Sequence, residues 1–165
     1  MTVAVRTSSS EAKHYARTLK SDAARLLSTL GLKRCELSIM LIDDPAIRAL
    51  NREFRDKDSP TDVLSFSQIE DRDSPASGPE EVLNSSATVL GDVVISIDTA
   101  FRQADRRGID RAVHLRTLLV HGMLHLIGYD HERSRADARR MFARQRELEG
   151  KLAAGSRIGA RRAKR

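Results

Sequence analysis

Apolar residues recur at every second position in four separate stretches of the chain. This is the period of a β-strand, and it predicts strands over 2–6, 35–42, 62–67 and 89–97. In the second stretch, Met40 and Ile42 make the other face apolar as well, so we expect that strand to be largely buried. The third and fourth strands are expected to pair. Cys35 has no neighbour that would activate its thiol and is interpreted as a core residue.

Elsewhere the apolar residues follow the three-to-four-residue period of helices. This spacing predicts helices over about 9–30, 45–54, 98–107, from 111 to the glycine at 128, and 134–152. Asp43 before Pro45 marks the start of the second helix, and Asp98 is expected to cap the third. The helix that begins at Arg111 is apolar on nearly all sides, which predicts that it lies in the middle of the fold.

The order of these elements predicts the fold class. Alternating strands and helices, then two strands and a run of helices, favour an α+β (mixed α/β) single domain. We expect one small mixed β-sheet of about four strands covered by helices. Residues 68–88 have no sustained period and include Ser74-Pro75 and Gly78-Pro79, so they are predicted to form a surface loop and not a domain boundary.

Composition narrows the class of protein. A chain of 165 residues with 40% hydrophobic side chains can form one domain with one core. No apolar run is long enough to span a membrane, and the first residues lack the layout of a signal peptide. The single cysteine excludes an internal disulfide. We therefore expect a cytoplasmic protein with no membrane partner.

The positive charge is concentrated at the C-terminus. The net charge is +6, and residues 155–165 hold five basic and no acidic side chains, so the rest of the chain is nearly neutral. These residues predict a division into a folded domain over 1–154 and a basic, disordered tail over 155–165. The tail could bind a polyanion or could simply be a solvated terminus, and the charge pattern alone favours neither.

The last predicted helix combines an apolar side with many arginines. Met141, Phe142 and Leu148 belong to the apolar side, which is expected to face the core. The arginines are interpreted as a solvated face that acidic residues partly neutralise. They are Arg133, Arg135, Arg139, Arg140, Arg144 and Arg146.

Three histidines at the end of the central helix form the most informative motif. His121 and His125 are four residues apart, so a helix places both on one face. Gly128 can end the helix in a left-handed turn, after which His131 could return to the same point. Three nitrogen ligands with a fourth position left to water are typical of catalytic zinc. The spacing therefore predicts an open zinc site.

The same motif separates two classes of hydrolase. A lone histidine on an apolar helix is usually a hydrogen-bonded core residue, but three at this spacing favour a metal site. The pattern matches the metzincin motif H-E-x-x-H-x-x-G-x-x-H, except that Gly122 replaces the glutamate that those proteases use as general base. Because the peptidase mechanism needs that proton acceptor, the motif points away from peptide hydrolysis.

A second informative stretch covers residues 55–66. It reads R-D-K-D-S-P-T-D-V-L-S-F, a charged loop that leads through Pro60 into a short strand. Polar loops attached to rigid strands are a common location for substrate-binding groups. On the residues alone, a solvated connection between a helix and a strand is the other interpretation.

Three stretches together resemble the YbeY-type endoribonucleases, a family of bacterial rRNA maturation factors. They are the histidine motif with His114 upstream of it, the 55–66 block, and L-G-D-V-V-I-S over 90–96. The resemblance covers about residues 35–150. The chain departs from the family pattern at Ser67, where proline is common, in its arginine-rich last helix, and in its basic tail.

The resemblance implies a zinc-dependent, single-strand-specific endoribonuclease over 1–154 that acts in 3′-end maturation of small-subunit rRNA and in ribosome quality control. It implies that His121, His125 and His131 hold one zinc ion per chain. Together with Arg55, which would also bind the substrate, they would form the catalytic site. His114 matches a recurring histidine that is not a ligand. The implied partners are RNA and the ribosome, with no DNA.

Several alternatives stay open at this point. The proton acceptor could be Asp62, Asp130, His114 or a zinc-bound hydroxide. The protein could also be a zinc hydrolase of another class, such as a peptidase with a relocated base. A third possibility is a non-enzymatic ribosome assembly factor, with a structural zinc and a basic tail that binds RNA.

Overall fold

A four-stranded β-sheet forms the centre of this computed structural model, which describes residues 2–69, 79–84 and 89–162. The strands are β1 (Thr2–Thr7), β2 (Glu36–Ile42), β3 (Val63–Ser67) and β4 (Val89–Ser96). They lie in the order β1-β2-β4-β3. β1, β2 and β4 are parallel, and β3 is antiparallel to β4. The predicted mixed sheet and the pairing of the third and fourth strands are confirmed.

Helices surround this sheet, and the α+β single-domain class is confirmed. None of the helices within the described ranges is long and apolar enough to cross a membrane. The helices are α1 (Ser10–Thr29), α2 (Asp44–Arg55), α3 (Pro79–Asn84), α4 (Ile97–Arg107), α5 (Arg111–Leu126) and α6 (Arg135–Arg162).

Helix α5 is the central helix, as predicted. It contacts β3 and β4 of the sheet and also packs against α1, α4 and α6. Leu115, Leu119 and Leu124 along it are completely buried. Each such leucine contributes roughly 1.5–3 kcal/mol through burial. The histidine motif therefore starts from the most extensively packed helix of the fold.

The end of α2 is held in place by its own turn. Asp56 follows Arg55 in the left-handed region, with a φ of 56°, and this conformation stops the helix. Asn51, which is buried, donates a hydrogen bond from Nδ2 to the backbone oxygen of Ser59 at 2.8 Å. This bond ties the following loop back to the helix, so Arg55 projects from an ordered position.

Two predictions about the middle of the chain need correction. Pro79–Asn84 form the short helix α3 inside the stretch predicted to be a loop, with Pro79 at its first position, where proline is favourable. The rest of that stretch, 70–78 and 85–88, lies outside the described residues. Asp43 caps α2 as predicted. Helix α4, however, begins at Ile97, and Ser96, not Asp98, is its N-cap.

Helix α6 is longer than the predicted 134–152. Its helical backbone continues to Arg162, so 155–162 differ from the disordered tail expected there, while 163–165 lie outside the described residues. Arginine, a strong helix former, occupies three of the eight positions from 155 to 162, although Gly155 and Gly159 are weak helix formers. Arg25 of α1 also donates hydrogen bonds of 3.0 and 3.1 Å to two α6 carbonyl groups near the predicted end.

Candidate active site

The three histidines of the motif meet at one point. His121 and His125 lie one turn apart on α5, and His131 lies in the loop that follows the helix. Each offers one ring nitrogen, and the three nitrogens lie within 4.8 Å of one another. The Nε2 atoms of His121 and His125 are 3.2 Å apart, close to the roughly 3.4 Å expected between nitrogens that share one zinc ion. The cluster can therefore hold a metal ion.

The loop after α5 brings the third histidine back to the helix. Gly128 has a φ of 94°, a conformation that glycine adopts without strain. Asp130 then fixes the next turn, because its Oδ1 accepts from the backbone N–H of Glu132 at 2.8 Å and its Oδ2 accepts from Arg133 Nε at 3.1 Å. His131 lies within this braced turn.

Burial keeps His121 and His125 in the form that binds a metal. Burial, with the neighbouring His121 and His131, lowers the pKa of His125 to about 4. Burial is also the main cause that lowers the pKa of His121. Both rings are therefore neutral at pH 7 and have a lone pair available for a cation.

Gln145 of α6 orients the first of these rings. Its Oε1 lies 3.1 Å from His121 Nδ1, and its Nε2 donates to Glu149 Oε1 at 3.0 Å. Since a carboxylate only accepts, the amide oxygen must face His121, whose Nδ1 then carries the proton. This leaves the Nε2 of His121 unprotonated and directed at the other two histidines, which is how the outer partners of metal sites act.

We expect Gln145→Leu to weaken zinc affinity by about 10- to 100-fold, because the acceptor that fixes the His121 tautomer is lost. Gln145→Glu keeps an acceptor at the same place and is expected to retain affinity. Competition with a chromophoric chelator measures both. Equal zinc affinity in the leucine variant and the wild type would show that Gln145 does not support the site.

A cleft of about 750 Å³ opens beside the histidines. All three line it, together with Arg55 and residues of β3 and of the loop before it. The Arg55 side chain is 44% exposed, and its ion pair with Glu132 is 3.9 Å long. Such an exposed pair contributes little, so the guanidinium is free to bind an anion in the cleft. The cleft brings together all four residues singled out in the sequence.

Asp62, in the wall of the cleft, is the end of a polar chain that leads into the core. Gln103 Nε2 donates to Asp62 Oδ2 at 3.1 Å, and Gln103 Oε1 lies 2.7 Å from His114 Nε2. Because the carboxylate only accepts, His114 must donate from Nε2. His114 is 2% exposed, its pKa is lowered mainly by burial, and it is absent from the described lining of the cleft. Gln103 connects it to Asp62 in the cleft.

Comparison with known proteins assigns the family. The profile of the family described as Endoribonuclease YbeY matches residues 2–153. The chain belongs to this family. A relative named Endoribonuclease YbeY from Anaeromyxobacter sp. (strain Fw109-5) is 47% identical over 164 residues, covering 96% of this chain and 78% of its own. Another relative of that name, from Geobacter metallireducens, is 47% identical over 131 residues, which cover 79% of this chain and 81% of the relative.

A solved structure shares the fold of this YbeY-family chain. It is the solution structure of a protein from Thermotoga maritima, with a TM-score of 0.64 at 22% identity, over 95% of this chain and 93% of that one. At this identity the likeness concerns the fold alone. It supports the sheet and helix arrangement that carries the histidine cluster.

The packing of α5 on the sheet explains why residue 122 of this YbeY-family chain is a glycine. A Cβ at this position would lie 2.7 Å from Val93 Cγ1, 3.1 Å from Ser65 Oγ and 3.3 Å from Val63 Cγ2. Helix α5 therefore packs so closely on β3 and β4 that a side chain does not fit. Ser65 Oγ also donates to the Gly122 carbonyl at 2.9 Å. The position of the protease glutamate is occupied by the sheet.

Three residues around the site were missed or misassigned from the sequence. Gln103 and Gln145 are single polar residues on helices, and no local pattern marks them. Phe142 was predicted to face the core, but it is 42% exposed and stacks on His131, with ring centroids 5.7 Å apart and an interplanar angle of 22°. Its helical spacing is that of a core residue, and only the return of the loop after α5 reveals its actual neighbour.

Proposed function

We propose that this protein is a zinc-dependent endoribonuclease that hydrolyses phosphodiester bonds in single-stranded RNA. Membership of the YbeY endoribonuclease family supports an RNA-cleaving hydrolase. The observation that carries the proposal is the cleft, where three convergent imidazoles and the guanidinium of Arg55 line one space. We also propose that it acts in the cytoplasm on the small-subunit rRNA precursor, in 3′-end maturation and ribosome quality control on the ribosome.

His121, His125 and His131 are the residues that would hold the zinc ion, one per chain. Their nitrogens converge, and burial keeps His121 and His125 neutral. When bound, zinc supplies a Lewis acid that brings the pKa of water toward ~7. Imidazole clusters also bind nickel, cobalt and copper. That the ion is zinc is therefore part of what we propose.

Arg55 would bind the phosphate that is cut. Its planar guanidinium can donate to two non-bridging oxygens at once, where negative charge develops as the bond breaks. Its position at the end of α2 and its exposed side chain, with only a long ion pair to Glu132 described for it, suit this role. Arg55 would thus place the phosphate against the histidines and stabilise its charge.

Asp62 is the side chain best suited to accept the proton. It lines the cleft, and its described hydrogen-bond donors are neutral groups: the backbone N–H of Val63 at 2.9 Å, the amide of Gln103 at 3.1 Å and the Thr61 hydroxyl at 3.4 Å. Asp130 also lines the cleft, but its carboxylate accepts from the Glu132 backbone N–H and from Arg133, and both lower its pKa. We therefore assign the proton to an Asp62 carboxylate oxygen, with Gln103 holding that carboxylate in place.

The peptidase alternative has less support. Restoring the glutamate of the metzincin motif would require space that Val93 and Ser65 occupy. The assembly-factor alternative differs from the proposal in a measurable way, because a structural zinc would be needed for folding and not for cleavage.

Removing the metal is expected to abolish cleavage without unfolding the protein. The substrate is an end-labelled, single-stranded fragment of the small-subunit rRNA precursor, and the enzyme is treated with a chelator and then reloaded with Zn²⁺. We expect cleavage to return on reloading, and the same RNA annealed to its complement to stay intact. Undiminished cleavage by metal-free protein, with metal content verified, would contradict the proposal.

A further inference from the structure

One face of α6 carries three arginines and an aromatic ring next to the histidine cluster. Arg135, Arg139, Phe142 and Arg146 are spaced by four, three and four residues, so they share one side of the helix. All four side chains are exposed. We call these four residues the arginine face.

The arginines of this face lack the acidic partners that their neighbours have. Arg133 pairs with Asp130, Arg140 with Glu80 and Arg144 with Glu147. By contrast, none of the three arginines of the arginine face has an ion pair with a carboxylate in the part of the chain that the structure describes. Their charge is therefore available to an external polyanion.

Phe142 is the second, independent feature of the face. It keeps 42% of its surface exposed although it is a large apolar side chain, and it stacks on His131. Phe54, on α2, is 59% exposed, packs edge-on against Phe66 at 5.1 Å and lines the cleft with Arg55. Exposed aromatic rings thus come from both α2 and α6, one in the cleft and one against His131.

We propose that the arginine face binds the RNA strand that leads away from the scissile phosphate, with one base stacked on Phe142 and successive phosphates at the three arginines. This inference rests on the proposed function and deepens it by assigning the substrate a path. Basic grooves with aromatic side chains are the usual means of binding single strands, since any unpaired base can stack. Bases inside a duplex are already stacked and cannot use the ring.

The test measures binding of a fluorescent oligouridylate to zinc-loaded, full-length protein over a range of salt concentrations, with gels confirming that the RNA stays intact. The variant Arg135→Ala/Arg139→Ala/Arg146→Ala is compared with Arg6→Ala/Lys33→Ala/Arg34→Ala, which removes the same charge. These control residues are also exposed, and they lie on β1 and just before β2, at the sheet edge opposite to β3.

We expect the arginine-face variant to bind more weakly and to lose about two units of slope in the plot of log affinity against log salt, at ~0.7 per phosphate contact. The control variant should keep the wild-type slope. Equal salt slopes for the arginine-face variant and the control variant would overturn the inference. Equal losses of affinity in the two variants would also overturn it.

Phe142→Leu tests the stacking separately, because leucine still packs on His131 but offers no ring. We expect binding to weaken by about 5- to 150-fold with the salt slope unchanged. Phe142→Tyr should bind like the wild type, and zinc content is measured in each variant. An oligonucleotide of abasic residues should show no difference between wild type and Phe142→Leu. A difference there, or wild-type affinity of Phe142→Leu for oligouridylate, would overturn the stacking.

Failure of this inference and failure of the proposed function give different results. If the wild type cuts the rRNA precursor fragment while the arginine-face and Phe142→Leu variants bind and cut equally well, the path is refuted and the ribonuclease stands. If the wild type binds but never cuts, the ribonuclease is refuted, and the salt slopes still decide whether the face binds RNA.

Discussion

Replacing His125 with alanine is expected to abolish zinc binding and RNA cleavage together. Its Nε2 is 3.2 Å from that of His121, and the substitution removes one of the three ligands of the cluster and leaves two imidazoles. The Lewis acid of such a site supplies several kcal/mol of transition-state stabilisation. Its loss corresponds to a rate decrease of about 10³-fold or more.

The control for this variant is His14→Ala. His14 is an exposed histidine on α1, outside the described lining of the cleft. Zinc content by elemental analysis, cleavage of labelled RNA and thermal unfolding are measured for both variants. We expect His125→Ala to fold, since His125 is neutral and only partly buried. If His125→Ala unfolds on losing zinc, the metal is structural. If it cuts RNA at the wild-type rate, the histidine cluster is not the catalytic site.

Gly122→Glu is expected to destabilise the protein and to give no peptidase. The new Cβ alone would lie 2.7 Å from Cγ1 of the fully buried Val93, and the rest of the side chain would need space between α5 and the sheet. Overpacking of this kind costs about 1–3 kcal/mol, and burying a carboxylate adds to it. We expect a loss of about 3 kcal/mol or more in the free energy of unfolding.

Gly150→Glu is the matched control, because a Cβ at Gly150 on α6 meets no atom within 4 Å. Urea unfolding measures the stability of both variants, and casein turnover tests for peptidase activity. If Gly122→Glu is as stable as the wild type, the packing of α5 on the sheet does not exclude a side chain at position 122. Casein turnover by that variant would show that the missing glutamate was the only barrier to a peptidase.

Local patterns predicted the parts of the fold that depend on burial of one face. The alternating strands, the central apolar α5 and the pairing of β3 with β4 all follow from such patterns. The histidine motif also predicted its own convergence, because a helical turn and Gly128 fix the geometry within eleven residues of sequence. Both the spacing and the turn are local features.

The features of the site that the sequence did not predict depend on contacts between distant parts of the chain. Gln145 meets His121 across 24 residues, and Gln103 joins Asp62 to His114 across 41 and 11 residues. Nothing in the local sequence marks either glutamine.

The sequence patterns also failed to predict the full length of α6 and the neighbours of Phe142. The helical backbone continues past 152 in residues that charge patterning alone assigned to a disordered tail. Phe142 has the period of a core residue but packs on His131, a loop residue.

We propose that Arg55 and the histidines act on one RNA phosphate. The most direct measurement is cleavage of the end-labelled small-subunit rRNA precursor fragment by wild type, Arg55→Ala and Arg52→Ala at matched zinc content. Arg52 is one turn earlier on α2, is 68% exposed and lies outside the described lining of the cleft, so it controls for loss of charge.

We predict that Arg55→Ala keeps its zinc and its stability but cuts about 10²- to 10³-fold more slowly, the usual effect of removing one group that stabilises developing charge. Arg52→Ala should cut like the wild type. Equal cleavage by Arg55→Ala and the wild type would contradict the account, because the phosphate would then not be held at this cleft.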